Sequence, residues 1–270
     1  MDCTFFFNLF VFLFGLIVGS FLNSVIYRLQ TGESFLFKRS YCPHCQHTLN
    51  WQDLIPVLSF LILRGKCRYC QKPISLQYPL VELATGFLFV SFFIFHFSFL
   101  IYLITCFLII IFVYDLKHYI IPDKVIYPAI AIAVLSRLFE ILNFSHWNLI
   151  RNWKLEIGNL QPLINPLSSA FLASLFFLVI VLISRGKWMG VGDIKLAFLM
   201  GLILGWPDVL VALFLAFFIG AIIGIGLILT GKKTLKSEIP FAPFLVTATF
   251  LAIFFGEQII NWYSNLFLLQ

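Results

Sequence analysis

Long apolar stretches separated by short polar segments dominate this chain. A helix that crosses a membrane needs about 20 predominantly apolar residues, and the stretch Phe5–Tyr27 meets that length. The stretch Leu80–Tyr114 is too long for one crossing, because a rise of about 1.5 Å per residue carries it well past a hydrocarbon core of about 30 Å. We therefore divide it into two helices that meet near His96–Ser98.

The whole pattern predicts an all-α polytopic membrane protein with eight transmembrane helices and a small polar insertion. Five further apolar stretches follow the first three helices: Pro122–Leu142, Leu167–Ser184, Ile194–Trp206, Val209–Thr230 and Phe241–Trp262. The stretch Ile194–Trp206 is the shortest and predicts a short or broken helix. We divide the chain into a first transmembrane helix (1–27), a polar insertion (28–79) and a transmembrane bundle (80–270).

Composition excludes an ordinary soluble domain, since 61% of the residues are hydrophobic and only 11% are charged, against about 25% charged in soluble proteins. The 18 Lys and Arg residues outnumber the 12 Asp and Glu residues. In a membrane protein this excess is typical of basic cytoplasmic loops. We therefore expect the basic surface to face the lipid bilayer, and we expect no nucleic-acid partner.

The distribution of basic residues predicts the orientation of the chain. If the first helix runs from outside to inside, 15 of the 18 Lys and Arg residues lie in cytoplasmic segments. These segments are 28–79, 116–124, 185–195 and 231–240. The remaining three are Arg137, Arg151 and Lys154. The positive-inside rule thus places the polar insertion in the cytoplasm and both ends of the chain on the other side.

Four cysteines in the polar insertion form two CxxC pairs, Cys42-Pro-His-Cys45 and Cys67-Arg-Tyr-Cys70. Two such pairs at this spacing are typical of a tetrahedral zinc site with four thiolate ligands. The alternatives are two disulfides or free thiols, and the reducing cytoplasm disfavours disulfides. His44 and His47 could replace a cysteine as ligands. The sequence therefore predicts a structural zinc ion.

Two aspartates map to the cytoplasmic edge of the membrane. Asp115 ends the third apolar helix, and Asp193 closes the motif Gly190-Val-Gly-Asp193. Carboxylates at the membrane are costly and mark functional sites. Two carboxylates at one depth can share a proton, so that one acts as general base and the other as general acid. This is the chemistry of an aspartic protease.

Simpler explanations exist for each acidic residue. Asp115 could form a salt bridge with Lys117 or Lys124, and Asp193 could be an ordinary acidic helix start. Asp123 and Asp208 each follow a proline and predict helix starts. Glu82, also near a helix start, is the strongest candidate for a functional role among the other acidic residues.

Taken in order, the motifs resemble the type IV prepilin peptidases, a family of bifunctional leader peptidases and N-methyltransferases. Besides the cysteines, the matching segments are Gly19-Ser-Phe-Leu-Asn23, Ile55-Pro-Val-Leu-Ser59, Tyr78-Pro-Leu-Val-Glu82, Ile121-Pro-Asp123, Gly190-x-Gly-Asp-x-Lys195 and Ile239-Pro-Phe-Ala-Pro-Phe244. They cover nearly the whole chain. Ala242 departs from the family pattern, where glycine is usual.

The resemblance implies an enzyme of the bacterial inner membrane with its active site on the cytoplasmic side. It implies cleavage of the short basic leader of prepilins or pseudopilins by Asp115 and Asp193. It also implies methylation of the new N-terminus with S-adenosylmethionine, without assigning residues to the methyl donor. By the same resemblance the four cysteines hold the 28–79 segment. A proton-coupled transporter using the same aspartates and a zinc-bearing adaptor without activity are the alternatives.

Overall fold

A computed structural model describes residues 3–33, 39–149, 161–231, 234 and 237–268. The side-chain surroundings are described for fewer residues, excluding Cys3, 140–149, 161–163 and 267–268. Of the basic residues that predict the orientation, six lie outside the described residues: Lys38, Arg151, Lys154, Lys232, Lys233 and Lys236.

The described chain is helical apart from turns, loops and two isolated β-bridges. Its α-helices are α1 (Cys3–Thr31), α2 (Leu58–Ile62), α3 (Gln77–Ile94), α4 (Phe99–His118), α5 (Asp123–Leu149), α6 (Gln161–Ser184), α7 (Val191–Leu204), α8 (Asp208–Leu229) and α9 (Ala242–Leu268). A 3-10 turn, Trp51–Leu54, precedes α2. The all-α prediction is confirmed. Asp123 and Asp208 begin α5 and α8, as their prolines predict.

Six of the described helices are long and apolar enough to cross a membrane: Thr4–Thr31, Gln77–Ile94, Phe99–His118, Ile164–Ser184, Asp208–Leu229 and Ala242–Leu266. The protein is therefore a multi-pass helical membrane protein. The helices α5 and α7 correspond to the other two predicted spans but are not among the six. A crossing by each of them stays a prediction.

The turn between α3 and α4 lies where the sequence divides the long apolar stretch. The first of these helices ends at Ile94, and the second begins at Phe99. His96 has a φ of 55°, in the left-handed region. The Phe97 N–H donates to the Phe92 carbonyl oxygen at 2.9 Å and so closes the end of the helix.

The chain folds as two compact units, residues 1–110 and 111–270. In the first unit, α1 and α3 pack against each other at very close range. A Cβ atom placed on Gly15 would lie 2.7 Å from the Gly86 Cα, and one on Gly19 would lie 2.7 Å from the Glu82 Cα. These glycines therefore let the two helix backbones touch.

The short helix α7 lies at the centre of the second unit, in contact with α5, α6, α8 and α9. A Cβ atom on Gly201 would lie 2.4 Å from the Ala170 Cα, so the backbones of α6 and α7 are in direct contact. The side chains of Leu196, Leu199 and Leu202 in α7 are buried. This packing fixes the helix whose first turn carries Asp193.

Candidate active site and cysteine cluster

Asp115 lies in the last turn of α4 and is 5% exposed. The backbone N–H of Ala242, the first residue of α9, faces its carboxylate. The other oxygen, Oδ2, is buried and has no hydrogen-bond partner among the described residues. The salt bridge to Lys117 or Lys124 that would explain Asp115 more simply is therefore not made by that oxygen among the described residues.

Asp193 lies in the first turn of α7 and is 9% exposed. Its Oδ2 accepts a hydrogen bond from the Gly190 N–H at 3.2 Å, and its own N–H donates to the Gly190 carbonyl oxygen at 3.2 Å. Gly192 packs against Ile121, since a Cβ at this glycine would lie 3.0 Å from the Ile121 Cβ. The glycines therefore let this helix start approach the chain between α4 and α5.

Asp115 and Asp193 both belong to the second unit, and they lie near enough for the charge of Asp115 to oppose ionisation of the Asp193 carboxyl group. Both side chains are buried, and α7 and α9 each begin beside one of them. Two buried carboxylates at close range cannot both ionise easily, and one shared proton resolves the repulsion. The geometry suits general acid–base catalysis by a pair of aspartates.

Next to this pair, Lys195 joins α7 to α5. Its Nζ lies 2.6 Å from Asp123 Oδ1 and 4.7 Å from the centre of the Tyr127 ring. The Asp123 side chain is 62% exposed, so the ion pair contributes little to stability. Asp123 thus acts as a helix start and ion-pair partner.

The four cysteines of the polar insertion converge in the first unit. Their sulfur atoms all lie within 4.8 Å of one another, and Cys42 Sγ lies 3.9 Å from Cys70 Sγ. Four sulfurs at about 2.3 Å from a tetrahedral zinc ion would be about 3.8 Å apart. The thiols of Cys42, Cys45, Cys67 and Cys70 are free, not disulfide-bonded. The cluster is compatible with zinc.

The two CxxC segments have the same backbone structure. Cys42 N donates to His47 O and Cys67 N donates to Lys72 O, at 3.0 and 2.9 Å. Burial opposes ionisation of Cys42, but the backbone N–H groups of Cys45 and His44 lower the pKa of its thiol to about 7. This favours the thiolate, the form that binds metal, at Cys42. At Cys70 the Lys72 backbone N–H lowers the pKa, but burial and the hydrogen bonds with the neighbouring thiols raise it to about 11. Among the described residues His47 is not in the metal-ligating group.

Contacts between the two CxxC segments hold the cluster together. The His47 ring stacks on the Tyr69 ring at 3.7 Å, and Arg68 Nε lies 2.8 Å from Asp53 Oδ1. The Asn50 side-chain N–H donates to the Tyr69 hydroxyl at 2.9 Å. These contacts pre-arrange the sulfur atoms.

Glu82 is a buried acid of the first unit, 6% exposed. Its Oε2 accepts a hydrogen bond from the Val57 N–H at 2.8 Å, and the Ser20 hydroxyl group also bonds to it. Nearby, Asn23 donates to the Tyr78 carbonyl oxygen at 3.0 Å and accepts from Gln77 at 3.2 Å. Val57 has a φ of 60°, strained for a β-branched residue. Glu82 therefore fixes the loop that precedes α2.

Comparison with known proteins gives matches along the chain. Residues 13–97 match the Bacterial Peptidase A24 N-terminal domain, and residues 101–225 match the Type IV leader peptidase family. Prepilin leader peptidase/N-methyltransferase of Bacillus subtilis (strain 168) is 34% identical over 95% of this chain and 97% of its own length. Proteins of the same name from Aeromonas hydrophila and Legionella pneumophila are 32% and 34% identical, each over 96% of this chain and 94% of their own length. The chain belongs to the type IV leader peptidase family. No solved structure matches it.

Family membership confirms the resemblance inferred from the motifs and favours the peptidase over the transporter or the adaptor. The matched Type IV leader peptidase region contains both Asp115 and Asp193. The A24 N-terminal domain contains all four cysteines. The motifs identified from sequence thus lie inside the two matched regions, except Ile239-Pro-Phe-Ala-Pro-Phe244, which follows the second of them.

Sequence reasoning missed two side chains that hold the far end of α7, Arg137 of α5 and Asn165 of α6. The Arg137 guanidinium donates to the carbonyl oxygens of Leu202 and Ile203. Asn165 bonds to both the N–H and the carbonyl oxygen of Trp206. A lone Arg in an apolar helix is a signal that could have suggested a buried polar contact.

Proposed function

We propose that this chain cleaves the leader of type IV prepilins or pseudopilins and then N-methylates the new N-terminal residue. The observation that carries the peptidase activity is the buried aspartate pair within the matched Type IV leader peptidase region. The methyltransferase activity rests on relatives named prepilin leader peptidase/N-methyltransferase that cover nearly the whole chain.

In this proposal Asp115 and Asp193 are the catalytic residues. The ionised member of the pair takes a proton from a water molecule, which attacks the scissile carbonyl carbon. The protonated member donates its proton as the peptide C–N bond breaks and the amine leaves. The buried Asp115 Oδ2, which lacks a protein partner among the described residues, is free to bond to that water or to the substrate.

Methylation requires a methyl donor, and S-adenosylmethionine supplies an electrophilic methyl group on a sulfonium centre. The new N-terminal amine must be neutral to accept it. The partners proposed for this chain are therefore prepilin or pseudopilin substrates, S-adenosylmethionine and the surrounding lipid.

We propose that Cys42, Cys45, Cys67 and Cys70 hold one structural zinc ion. Two observations support this proposal. The four sulfur atoms all lie within 4.8 Å of one another, and the four thiols are not joined in disulfides. A polar insertion with so little apolar core would gain its stability from the metal. We keep the division into 1–27, 28–79 and 80–270 as the functional organisation.

We also propose that α5 and α7 complete eight membrane-embedded helices in a bacterial inner membrane. The long α5 would cross, and α7 would enter from the same face because Lys195 of α7 pairs with Asp123 at the start of α5. The excess of basic residues supports a cytoplasmic location for this face.

The test is cleavage of a prepilin peptide by purified protein in detergent. Asp115→Asn and Asp193→Asn should each lower the cleavage rate by a factor on the order of 10,000 or more, since either change removes one of the two aspartates that act together. Asp208→Asn and Asp123→Asn should retain most activity. Near-normal cleavage by a folded Asp115→Asn or Asp193→Asn enzyme would refute the assignment.

A further inference from the structure

The far end of α7 presents a problem for a helix in a bilayer. With 14 residues it is only about 21 Å long, shorter than the hydrocarbon core of about 30 Å. If it enters at one face, it ends inside the apolar layer. Its last carbonyl groups have no donors within the helix, and no water is there to donate hydrogen bonds to them.

Arg137 of α5 supplies the missing donors. Its Nη2 lies 3.1 Å from the Leu202 oxygen and 2.8 Å from the Ile203 oxygen, and its Nε lies 3.3 Å from the Leu202 oxygen. A guanidinium group can bond to two carbonyls at once because its donors form a fixed fork. Its positive charge also lies at the negative end of the helix dipole.

Asn165 of α6 holds the segment that follows. The Trp206 N–H donates to Asn165 Oδ1 at 2.6 Å, and Asn165 Nδ2 donates to the Trp206 oxygen at 3.1 Å. Ser169, one turn later in α6, donates to the Asn165 carbonyl oxygen at 2.7 Å. The C-terminal end of α7 is thus fixed to two different helices.

The helix α5 holds α7 at both ends, through Lys195 and Asp123 at the start and through Arg137 at the finish. The contact at the start is an exposed ion pair of small energy. The contact at the finish is charge-assisted and partly buried, and is therefore the stronger of the two. Since α7 is one continuous helix, displacement of its C-terminal end also displaces Asp193.

We propose that Arg137 and Asn165 are positioning residues that set the location of Asp193 relative to Asp115. The inference rests on the proposed peptidase function. Arg137 acts by satisfying the last carbonyl groups of the helix that carries Asp193, and Asn165 acts by holding Trp206 just beyond its end.

The test compares Arg137→Met, Arg137→Gln and Arg137→Lys in detergent-purified protein, with Ser174→Ala as control. The Ser174 hydroxyl bonds only to the Phe171 oxygen of its own helix among the contacts described, and so its loss leaves α7 in place. A misplacement of about 1 Å can cost on the order of 100-fold in rate. We expect kcat per folded enzyme to fall about 10- to 100-fold for Met and Gln, with KM within about twofold, because the substrate contacts remain. Arg137→Lys keeps the positive charge but loses the paired N–H donors of the guanidinium group. Its kcat should therefore lie between that of the Met and Gln variants and that of wild type.

A second readout does not depend on activity. Cysteines introduced together at Ile121 and Gly192 should form a disulfide after a small outward shift of the backbone, because their Cβ positions lie 3.0 Å apart, closer than the roughly 3.5–4.5 Å of a disulfide. The rate of this reaction reports where the start of α7 lies. In a background carrying Arg137→Gln it should fall severalfold, while Ser174→Ala should leave it unchanged.

The two readouts separate the possible outcomes. If the wild-type protein fails to cleave prepilin, the proposed function is wrong, and cross-linking still tests the positioning. If Arg137→Met does not fold, Arg137→Gln and Asn165→Asp decide, since each keeps part of the hydrogen bonding. Unchanged kcat and unchanged cross-linking in these folded variants would show that the residues serve stability alone and would overturn the inference.

Discussion

Replacing Gly201 with alanine should displace α7 and reduce both stability and cleavage. The added Cβ would lie 2.4 Å from the Ala170 Cα, 2.5 Å from the Ala170 nitrogen and 2.7 Å from the Ser169 carbonyl carbon. All three are backbone atoms, so no side-chain rotation can relieve the contact. Carbon atoms in ordinary contact are about 3.5–4.0 Å apart, and the helices must therefore separate by about 1 Å.

The expected size of the effect follows from this displacement. Overpacking of this kind costs about 1–3 kcal/mol in the free energy of unfolding, partly offset by the higher helix propensity of alanine. Asp193 lies two turns earlier in the same helix. A shift of about 1 Å there would lower kcat by a factor on the order of 100.

Purified Gly201→Ala protein would be compared with wild type by denaturant unfolding in detergent and by prepilin cleavage. Gly226→Ala is the matched control, because a Cβ at Gly226 meets nothing within 4 Å. That variant should be as stable as wild type or up to about 1 kcal/mol more stable. Wild-type stability and cleavage in Gly201→Ala would refute the claim that α6 and α7 touch here.

Two further predictions concern the metal and the topology. Purified protein should contain about one zinc ion per chain, and Cys67→Ser should lose it, as measured by elemental analysis with Ser174→Ala as control; metal-free wild-type protein would contradict the zinc site. Reporter fusions after Lys66 and Lys187 should give a cytoplasmic signal because of the basic-residue asymmetry, and a signal from the opposite side would reverse the orientation.

Hydropathy alone predicted the positions of the helices well. A bilayer demands a minimum length of apolar sequence, and that demand is visible residue by residue. The division near His96 followed from length, although the turn contains no glycine or proline. The structure shows how His96 itself adopts the left-handed conformation that ends α3.

The partners of each helix could not be predicted in the same way. A soluble helix shows which face is buried by its apolar stripe, but these helices are apolar on every face. Asp123 and Lys195 are 72 positions apart in the sequence, and nothing local to either signals that the two form an ion pair. The aspartate pair was predicted because both members were expected at helix ends on one side of the membrane, and its catalytic role stays a prediction.

Arg137 shows why a count of basic residues and the contacts of one such residue can point to different membrane orientations. The positive-inside rule treats each basic residue as a charge at the membrane surface, and Arg137 is one of three that oppose the predicted orientation. From the start of α5 at Asp123 it lies about 21 Å along the helix, and its guanidinium bonds to carbonyl oxygens of α7. A charge that is already compensated by helix carbonyls has little reason to remain at either surface. Arg137 therefore does not weigh against the orientation that the loop residues predict, because its position is set by the end of the helix that carries Asp193.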